Sequence, residues 1–181
     1  VMQISCRDRN KIALQSDILG ANALGIRNIL CITGDSVKAG DQKDAKAVHE
    51  FESVKLLKQI QAFNKGIDPT FGELADKKTS IFPGTAADPS CRNKKSLKNR
   101  IIRKKEAGAQ FIQTQMIMEK ENLIEFCEEI SNPLEIPVIA GVFLLKSYKN
   151  ALFINKYVPG ANIPETILNR LKDTKDPLQE G

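Results

Sequence analysis

The sequence has no tryptophan, a single histidine and no two cysteines in CxxC spacing. Zinc sites group histidine and cysteine ligands at close spacing, so we expect no metal site here. The four cysteines are scattered through a chain of 181 residues. Because a disulfide-rich secreted protein would concentrate them, we interpret the pattern as typical of a reducing, cytoplasmic setting.

Long apolar runs are missing as well. No segment approaches the ~18 residues of a transmembrane helix, and residues 1–10 lack the charged start and apolar stretch of a signal peptide. We therefore expect no membrane partner. The net charge of +5 is modest, and the 41% hydrophobic and 27% charged content is that of an ordinary globular protein. Length and composition together predict one domain over residues 1–181.

Short apolar runs alternate with helical patterns along the chain. Strict alternation predicts a parallel sheet with right-handed crossovers. Two α/β architectures fit this pattern, an open doubly wound sheet or a (β/α)8 TIM barrel. The barrel would be incomplete as given, because a full barrel takes ~250 residues and the sequence holds about five β/α units. The predicted strands cover residues 1–5, 26–33, 79–84, 109–115 and 136–143, and the predicted helices cover 10–24, 53–63, 96–107, 120–130, 147–157 and 164–171.

Polar residues follow the predicted strands, where both architectures place ligand sites. Asp35 comes after the second strand, and Gln115 ends the fourth. In a closed barrel both side chains would point to one central mouth, where a carboxylate and a carboxamide suit a flat heterocycle with amide-like edges. Taken singly, each is better explained by local structure, Asp35 as the cap of a turn and Gln115 as a partner of the backbone.

The common phosphate-binding and nucleophile motifs are absent: the sequence contains no GxGxxG, no P-loop and no GxSxG. A basic segment could instead bind nucleic acid, but no aromatic residues interleave with it as single-strand binding needs, so we interpret most of it as a solvated helix face. We expect no nucleic-acid partner, although one or two of these cations near a strand end could bind a cofactor phosphate. The segment holds Arg92, Lys94, Lys95, Lys98, Arg100, Arg103, Lys104 and Lys105.

Four segments, in collinear order over nearly the whole chain, together resemble the methylenetetrahydrofolate reductase family. Their shared order is more specific than any single motif, and the likeness is greatest to bacterial forms with TGD, including those fused to a homocysteine methyltransferase domain. The segments are SCRDRNKIALQSDILGANALGIRNILCITGD, GDQKDAKAVHEFESVKLL, KKEAGAQFIQTQ and PVIAGVFLLKSYKNALFINKYVPGANIPETILNRL.

This resemblance implies a (β/α)8 barrel that holds FAD at the carboxyl ends of its strands. It implies an oxidoreductase of one-carbon metabolism that reduces 5,10-methylenetetrahydrofolate to 5-methyltetrahydrofolate, a step of methionine biosynthesis. NADH, NADPH or an electron-donating partner protein would reduce the flavin first, and the folate would then take the donor's place. The resemblance also implies a homo-oligomer.

The resemblance assigns roles to individual positions. Asp35 matches the aspartate that lies beside the flavin and meets the folate, where its charge would stabilise the iminium cation of the opened folate ring. Gln115 matches the glutamine that binds the folate. Five further positions match family residues that contact the flavin ring, its loop or its phosphates. They are Thr33, Gly34, His49, Arg100 and Lys104.

The sequence also departs from the family. The general-acid glutamate of the family lies on the first strand, whereas this sequence starts at what resembles the third and stops before the last unit. Gln3, Leu97 and Leu144 replace a histidine, an acidic residue and a proline, and His49 replaces an aromatic residue. We therefore expect a longer natural chain, or partner subunits that cover the gap. A second hypothesis is a non-catalytic barrel subunit or remnant that binds flavin or folate.

Overall fold

The computed structural model describes residues 1–74, 78–158 and 160–181. Five strands form one sheet, and two short strands form a separate antiparallel hairpin after the second helix. The sheet contains β1 (Met2–Ser5), β2 (Asn28–Ile32), β5 (Phe82–Ala87), β6 (Phe111–Met116) and β7 (Val138–Gly141). The hairpin contains β3 (Ile67–Asp68) and β4 (Gly72–Glu73).

The strand order in the sheet is β1-β2-β5-β6-β7, and every neighbouring pair is parallel. Each new strand is therefore added at the same edge. An open doubly wound sheet would reverse direction at a switch point, whereas sequential winding is the order of a (β/α) barrel. This order decides between the two architectures and confirms the predicted fold class, a (β/α)8 TIM barrel that is incomplete as given.

Within the described ranges, seven α-helices connect or follow these strands. Asparagine side chains cap two of them, because Asn10 accepts a hydrogen bond from Ala13 N–H and Asn93 accepts one from Ser96 N–H, both at 2.9 Å. The helices are α1 (Lys11–Ala23), α2 (Ser53–Asn64), α3 (Lys94–Glu106), α4 (Lys120–Phe126), α5 (Tyr148–Tyr157), α6 (Glu165–Asp173) and α7 (Pro177–Glu180).

The two faces of the sheet differ in character. One face is apolar and is buried beneath α1, α2 and α3, and this layer forms the main core of the protein. Because side chains alternate along a strand, the residues between these core positions lie on the opposite side, which we call the inner face. The core residues of the sheet include Ile4, Ile29, Cys31 and Ile112, and the inner-face residues include Gln3, Ser5, Leu30, Ile32, Gly84, Ala86, Phe111, Gln113 and Gln115.

An aromatic ring fills the amino-terminal part of the inner face. The ring of Phe111 stacks on Phe82 with centroids 5.7 Å apart, and it lies directly against Gly84. A Cβ atom at Gly84 would come within 2.2 Å of the Phe111 ring, closer than any real packing contact. The glycine therefore makes room for the ring, and the inner face opens above this level.

Two predicted elements needed a corrected boundary, and one element was not predicted. The third strand was predicted over residues 79–84, but β5 lies at Phe82–Ala87, because pairing with β2 on one side and β6 on the other holds the small residues in extended form. The helix predicted over 120–130 ends at Phe126 and continues as a π-helical turn, Cys127–Ser131. The β3–β4 hairpin was not predicted.

Among the described residues, no helix combines the length and hydropathy needed to cross a bilayer.

We predict that Gly84→Ala destabilises the protein by about 1–3 kcal/mol, because the new methyl group overlaps the Phe111 ring and forces repacking. Urea unfolding measures the change. The matched control is Gly20→Ala in α1, where nothing lies within 4 Å of the added carbon and where alanine should stabilise the helix by about 0.5–1 kcal/mol. Equal stability of the Gly84 variant and the wild type would contradict the packing described here.

Candidate functional site

Two adjoining cavities lie at the carboxyl-terminal ends of the parallel strands. The first has a volume of about 460 Å³, and the second about 320 Å³. Both sizes fall in or near the range of small-molecule sites, roughly 300–1,000 Å³. Ile32, Ala86, Lys104 and Gln115 line both cavities and form the border between them. A ligand longer than one ring system could therefore occupy both.

The structure brings most of the predicted site residues together. Arg100 lines the second cavity, near its border with the first. His49 lines neither cavity: it is exposed on the loop after β2, with a positive φ of 44°, and its N–H donates to Arg7 O at 3.4 Å. The predicted residues that line the first cavity are Thr33, Gly34, Asp35, Lys104 and Gln115.

The turn that leads into Asp35 is fixed on both sides. The Thr33 hydroxyl accepts a hydrogen bond from Ser53 N–H at 3.2 Å, so it ties the end of β2 to the start of α2. Gly34 has a φ of +92°, and a Cβ atom there would lie 2.4 Å from Ser5 Oγ. Only glycine fits this close approach to β1 without strain. Thr33 and Gly34 thus hold the backbone that places Asp35 at the cavity wall.

A cation that the sequence did not single out shares the first cavity with Asp35. Arg7, two residues after β1, lines this cavity and binds Asp8 through two hydrogen bonds of 2.7 and 2.8 Å. Its pKa is raised, first by the hydrogen bond to Asp8 and also by the negative charge of Asp35. The cavity wall therefore carries the exposed Asp35 carboxylate and an Arg7 guanidinium that Asp8 holds in place.

Lys104 supplies a second cation. Its Nζ reaches from α3 across the end of β5 and donates to Ala86 O at 2.8 Å. No carboxylate within the described ranges forms an ion pair with it. Burial, together with the neighbouring Arg100 guanidinium, lowers the pKa of Lys104 to about 8. The amine is thus largely charged at neutral pH and has no anionic partner of its own, which suits it to an anionic ligand.

A β-bulge places Gln115 at the border of the two cavities. The pairing of β6 with β7 runs from Gln113 and Ile139 to Met116 and Gly141, so β6 contains one extra residue. The Thr114 hydroxyl bridges the gap, accepting from Gly141 N–H at 2.8 Å and donating to Gln115 O at 2.7 Å. The Gln115 Oε1 accepts from Met116 N–H at 3.3 Å, which leaves its NH2 group to a ligand.

Sequence reasoning missed several residues that line the cavities, among them Arg7, Gln3 and Gln113. The signal for them was the two-residue alternation of a strand. Gln3 and Arg7 each lie two residues from Ser5 in the sequence, and an odd number of residues from buried Ile4. Gln113 has the parity of Gln115. Assigning core positions first would have identified Gln3 and Gln113 as inner-face residues, whereas Arg7 lies beyond the end of β1.

The chain matches a known family over nearly its full length. A family model described as Methylenetetrahydrofolate reductase matches residues 1–180. Methylenetetrahydrofolate reductase 2 of Schizosaccharomyces pombe is 28% identical over 184 residues, which cover 96% of this chain and 27% of that protein. Probable methylenetetrahydrofolate reductase (NADPH) of Caenorhabditis elegans is 25% identical over 178 residues, which cover 97% of this chain and 25% of that protein. The chain thus spans about a quarter of the length of these curated relatives.

One similar solved structure is an uncharacterized protein from Clostridium thermocellum that binds two copies of 5-methyl-5,6,7,8-tetrahydrofolic acid. It is 18% identical to this chain, with a TM-score of 0.49, and the match covers 99% of this chain and 77% of that one.

We predict that Thr114→Val destabilises the chain by about 1–3 kcal/mol, because Gly141 N–H and Gln115 O would lose their shared partner at the bulge. Thermal or urea unfolding measures the loss. Thr114→Ser keeps the hydroxyl and is the matched control, with a much smaller expected effect. If the valine and serine variants were equally stable, the hydroxyl bridge would have no structural role.

We predict that Lys104→Met stabilises the chain at pH 7, because it removes a buried cation. The folded pKa of about 8 lies below the ordinary value of 10.5, so the unfolded chain binds more protons between these pH values. Wild-type stability therefore rises with pH from about 8 to 10.5, as the cost of burying the cation disappears, and the advantage of the variant should shrink over that range.

Urea unfolding at pH 7, 9 and 10.5 checks this trend. The control is Lys98→Met at an exposed position of the same helix, expected to change stability by less than about 0.5 kcal/mol. An advantage of the Lys104 variant that stayed constant across this pH range would contradict the assignment.

Proposed function

The chain belongs to the methylenetetrahydrofolate reductase family. From this premise we propose that the protein binds FAD in its two adjoining cavities and reduces 5,10-methylenetetrahydrofolate to 5-methyltetrahydrofolate. The observation that carries the proposal is the meeting of Asp35, Lys104 and Gln115 on the wall of one cavity at the carboxyl ends of the strands. These three come from separate β/α units, and each matches a family residue with a role in binding or catalysis.

The residues around the cavities fit a flavin. When bound, FAD supplies the hydride chemistry that no side chain can provide. Lys104 offers an unpaired cation, and Arg100 a second one nearby, for the phosphates. Thr33 and Gly34 offer rigid backbone along one wall, and Ala86 leaves space for a flat ring. His49 lies outside both cavities in this structure, and the proposal does not depend on it.

Asp35 would act through its charge. Opening of the folate's five-membered ring creates an iminium cation, and a carboxylate fixed beside it stabilises that charge before hydride arrives. The same charge disfavours negative charge on a neighbouring ring. The positive charge of Arg7 would offset part of the negative charge of Asp35, because the two groups are close enough to interact. Asp35 is thus a site of electrostatic stabilisation in the proposed reaction.

Gln115 would orient the folate. Its Oε1 is held by Met116 N–H, so the amide cannot rotate freely and its NH2 group keeps one direction. A fixed donor at the border of the cavities is suited to a carbonyl or ring nitrogen of a pterin. The β-bulge and the Thr114 hydroxyl supply the rigidity that such positioning needs.

The wider setting of the reaction is also part of the proposal. We propose NADH, NADPH or an electron-donating partner protein as the reductant, a homo-oligomer as the assembly, and methionine biosynthesis as the process served. All four cysteines are free thiols, which supports a reducing, cytoplasmic location.

We predict that the full chain binds FAD and shows flavin absorbance near ~450 nm that bleaches when methyltetrahydrofolate is added without oxygen. The titration is followed in an anaerobic cuvette. Protein that retains no flavin absorbance after excess FAD has been removed would count against the reductase and favour the alternative of a non-catalytic barrel subunit.

We predict that Asp35→Asn binds FAD like the wild type but slows folate-dependent turnover about 100-fold, because a neutral amide no longer stabilises the cation. Stopped-flow absorbance measures the reductive and folate half-reactions separately. Asp41→Asn, an exposed carboxylate on the same loop, is the control and should react normally. A loss confined to the reductive half-reaction would contradict the assigned role.

A further inference from the structure

Gln113 is a polar residue on the inner face of the sheet, within β6. It lies in β6 between Phe111 and Gln115, two residues from each, and so it shares their face, opposite to Ile112 in the core. Phe111 is packed against Gly84 below it, and Gln115 is at the border of the cavities above it. Gln113 is half-buried and lines the second cavity.

The surroundings of Gln113 do not account for its polarity. Its register partners are Ala86 on β5 and Ile139 on β7, both apolar. Among the described residues, no side-chain hydrogen bond involves the Gln113 amide, whereas the Gln115 amide is held by Met116 N–H. A half-buried amide with free donors and a free acceptor, facing a cavity, is a group that a ligand can satisfy.

We propose that Gln113 is a positioning residue for the flavin and binds the uracil-like edge of its ring. That edge presents an N3–H donor between two carbonyl oxygens, and a carboxamide complements it by accepting from N3–H and donating to one carbonyl. A carboxamide can make both bonds at once, which fixes the in-plane rotation of the ring as well as its identity. The inference rests on the proposed function, since it names a contact of the same site.

The level of Gln113 in the sheet favours the flavin over the folate. Gln113 lies nearer the amino-terminal end of β6 than Gln115, the proposed folate contact. A cofactor that stays bound through successive turnovers can occupy the deeper position, whereas the substrate must exchange and therefore takes the outer one. Ala86 beside Gln113 leaves the space that a planar ring needs.

A second amide converges on the same cavity. Gln3, on the inner face of β1, lines the second cavity together with Gln113, although the two strands are not neighbours. Within the described residues, no side-chain hydrogen bond involves the Gln3 amide. Two free amides facing one cavity supply donors and acceptors on both sides of a flat ring, whereas the apolar interior of most barrels offers none.

The test compares FAD with 3-methyl-FAD, which cannot donate from N3, in the full wild-type chain and in Gln113→Leu. Fluorescence quenching gives both dissociation constants. The wild type should prefer FAD by about tenfold or more, Gln113→Leu should bind FAD about tenfold more weakly, and its preference should fall close to one. Gln110→Leu, an exposed position just before β6, is the matched control and should keep the full preference.

The outcomes separate the inference from the proposed function. A wild type that binds no flavin overturns both. A wild type that binds flavin, together with a Gln113→Leu variant that retains the preference for FAD over 3-methyl-FAD, overturns only the role of Gln113. If the leucine variant does not fold, Gln113→Met serves instead. It keeps the length of the side chain but has neither the amide donor nor the amide acceptor, so its preference for FAD over 3-methyl-FAD should also fall close to one; a retained preference in that variant would equally exclude the contact.

Discussion

The register of five parallel strands sets the position of the strand side chains in the proposed site, and it fixes the edge at which the loops and α3 add Asp35 and Lys104. Because each strand alternates its side chains between two faces, a residue either joins the core under the helices or faces the cavities. Ile4 and Ile112 fix this parity for β1 and β6, and the polar residues between them follow automatically. The site is therefore a consequence of how the core is buried, and a slip of one residue in any strand would exchange core and ligand contacts.

The charged side chains of the site lie in two groups, one at the mouth of the first cavity and one on α3. Asp35 lies at the mouth with Arg7 nearby, while Lys104 and Arg100 approach from α3, across the end of β5. A ligand that is cationic or polar at one end and anionic at the other would find matching partners at both ends. Burial makes Lys104 costly to charge, and an anionic group of the ligand would offset part of that cost.

The sequence revealed the fold class and part of the site, each for a physical reason. Alternating strand and helix patterns predict a parallel sheet, and parallel strands bring their ends to one edge, so the sequence predicts that Asp35 and Gln115 lie close together; both line the first cavity. β5 was misplaced by three residues, because Pro83 and Gly84 resemble a turn until pairing on both sides holds them extended. The bulge at Gln115 depends on a hydroxyl bridge between strands, which no local pattern encodes.

The bulge in β6 affects which residue of the site can be substituted without changing the fold. Its extra residue is held by the Thr114 hydroxyl rather than by ladder pairing, so the side chain at Gln115 contributes little to the burial of the strand. We therefore expect a substitution of Gln115 to leave Ile112 and the helices packed on it in place. A change of ligand preference at this position would then not require a change of scaffold.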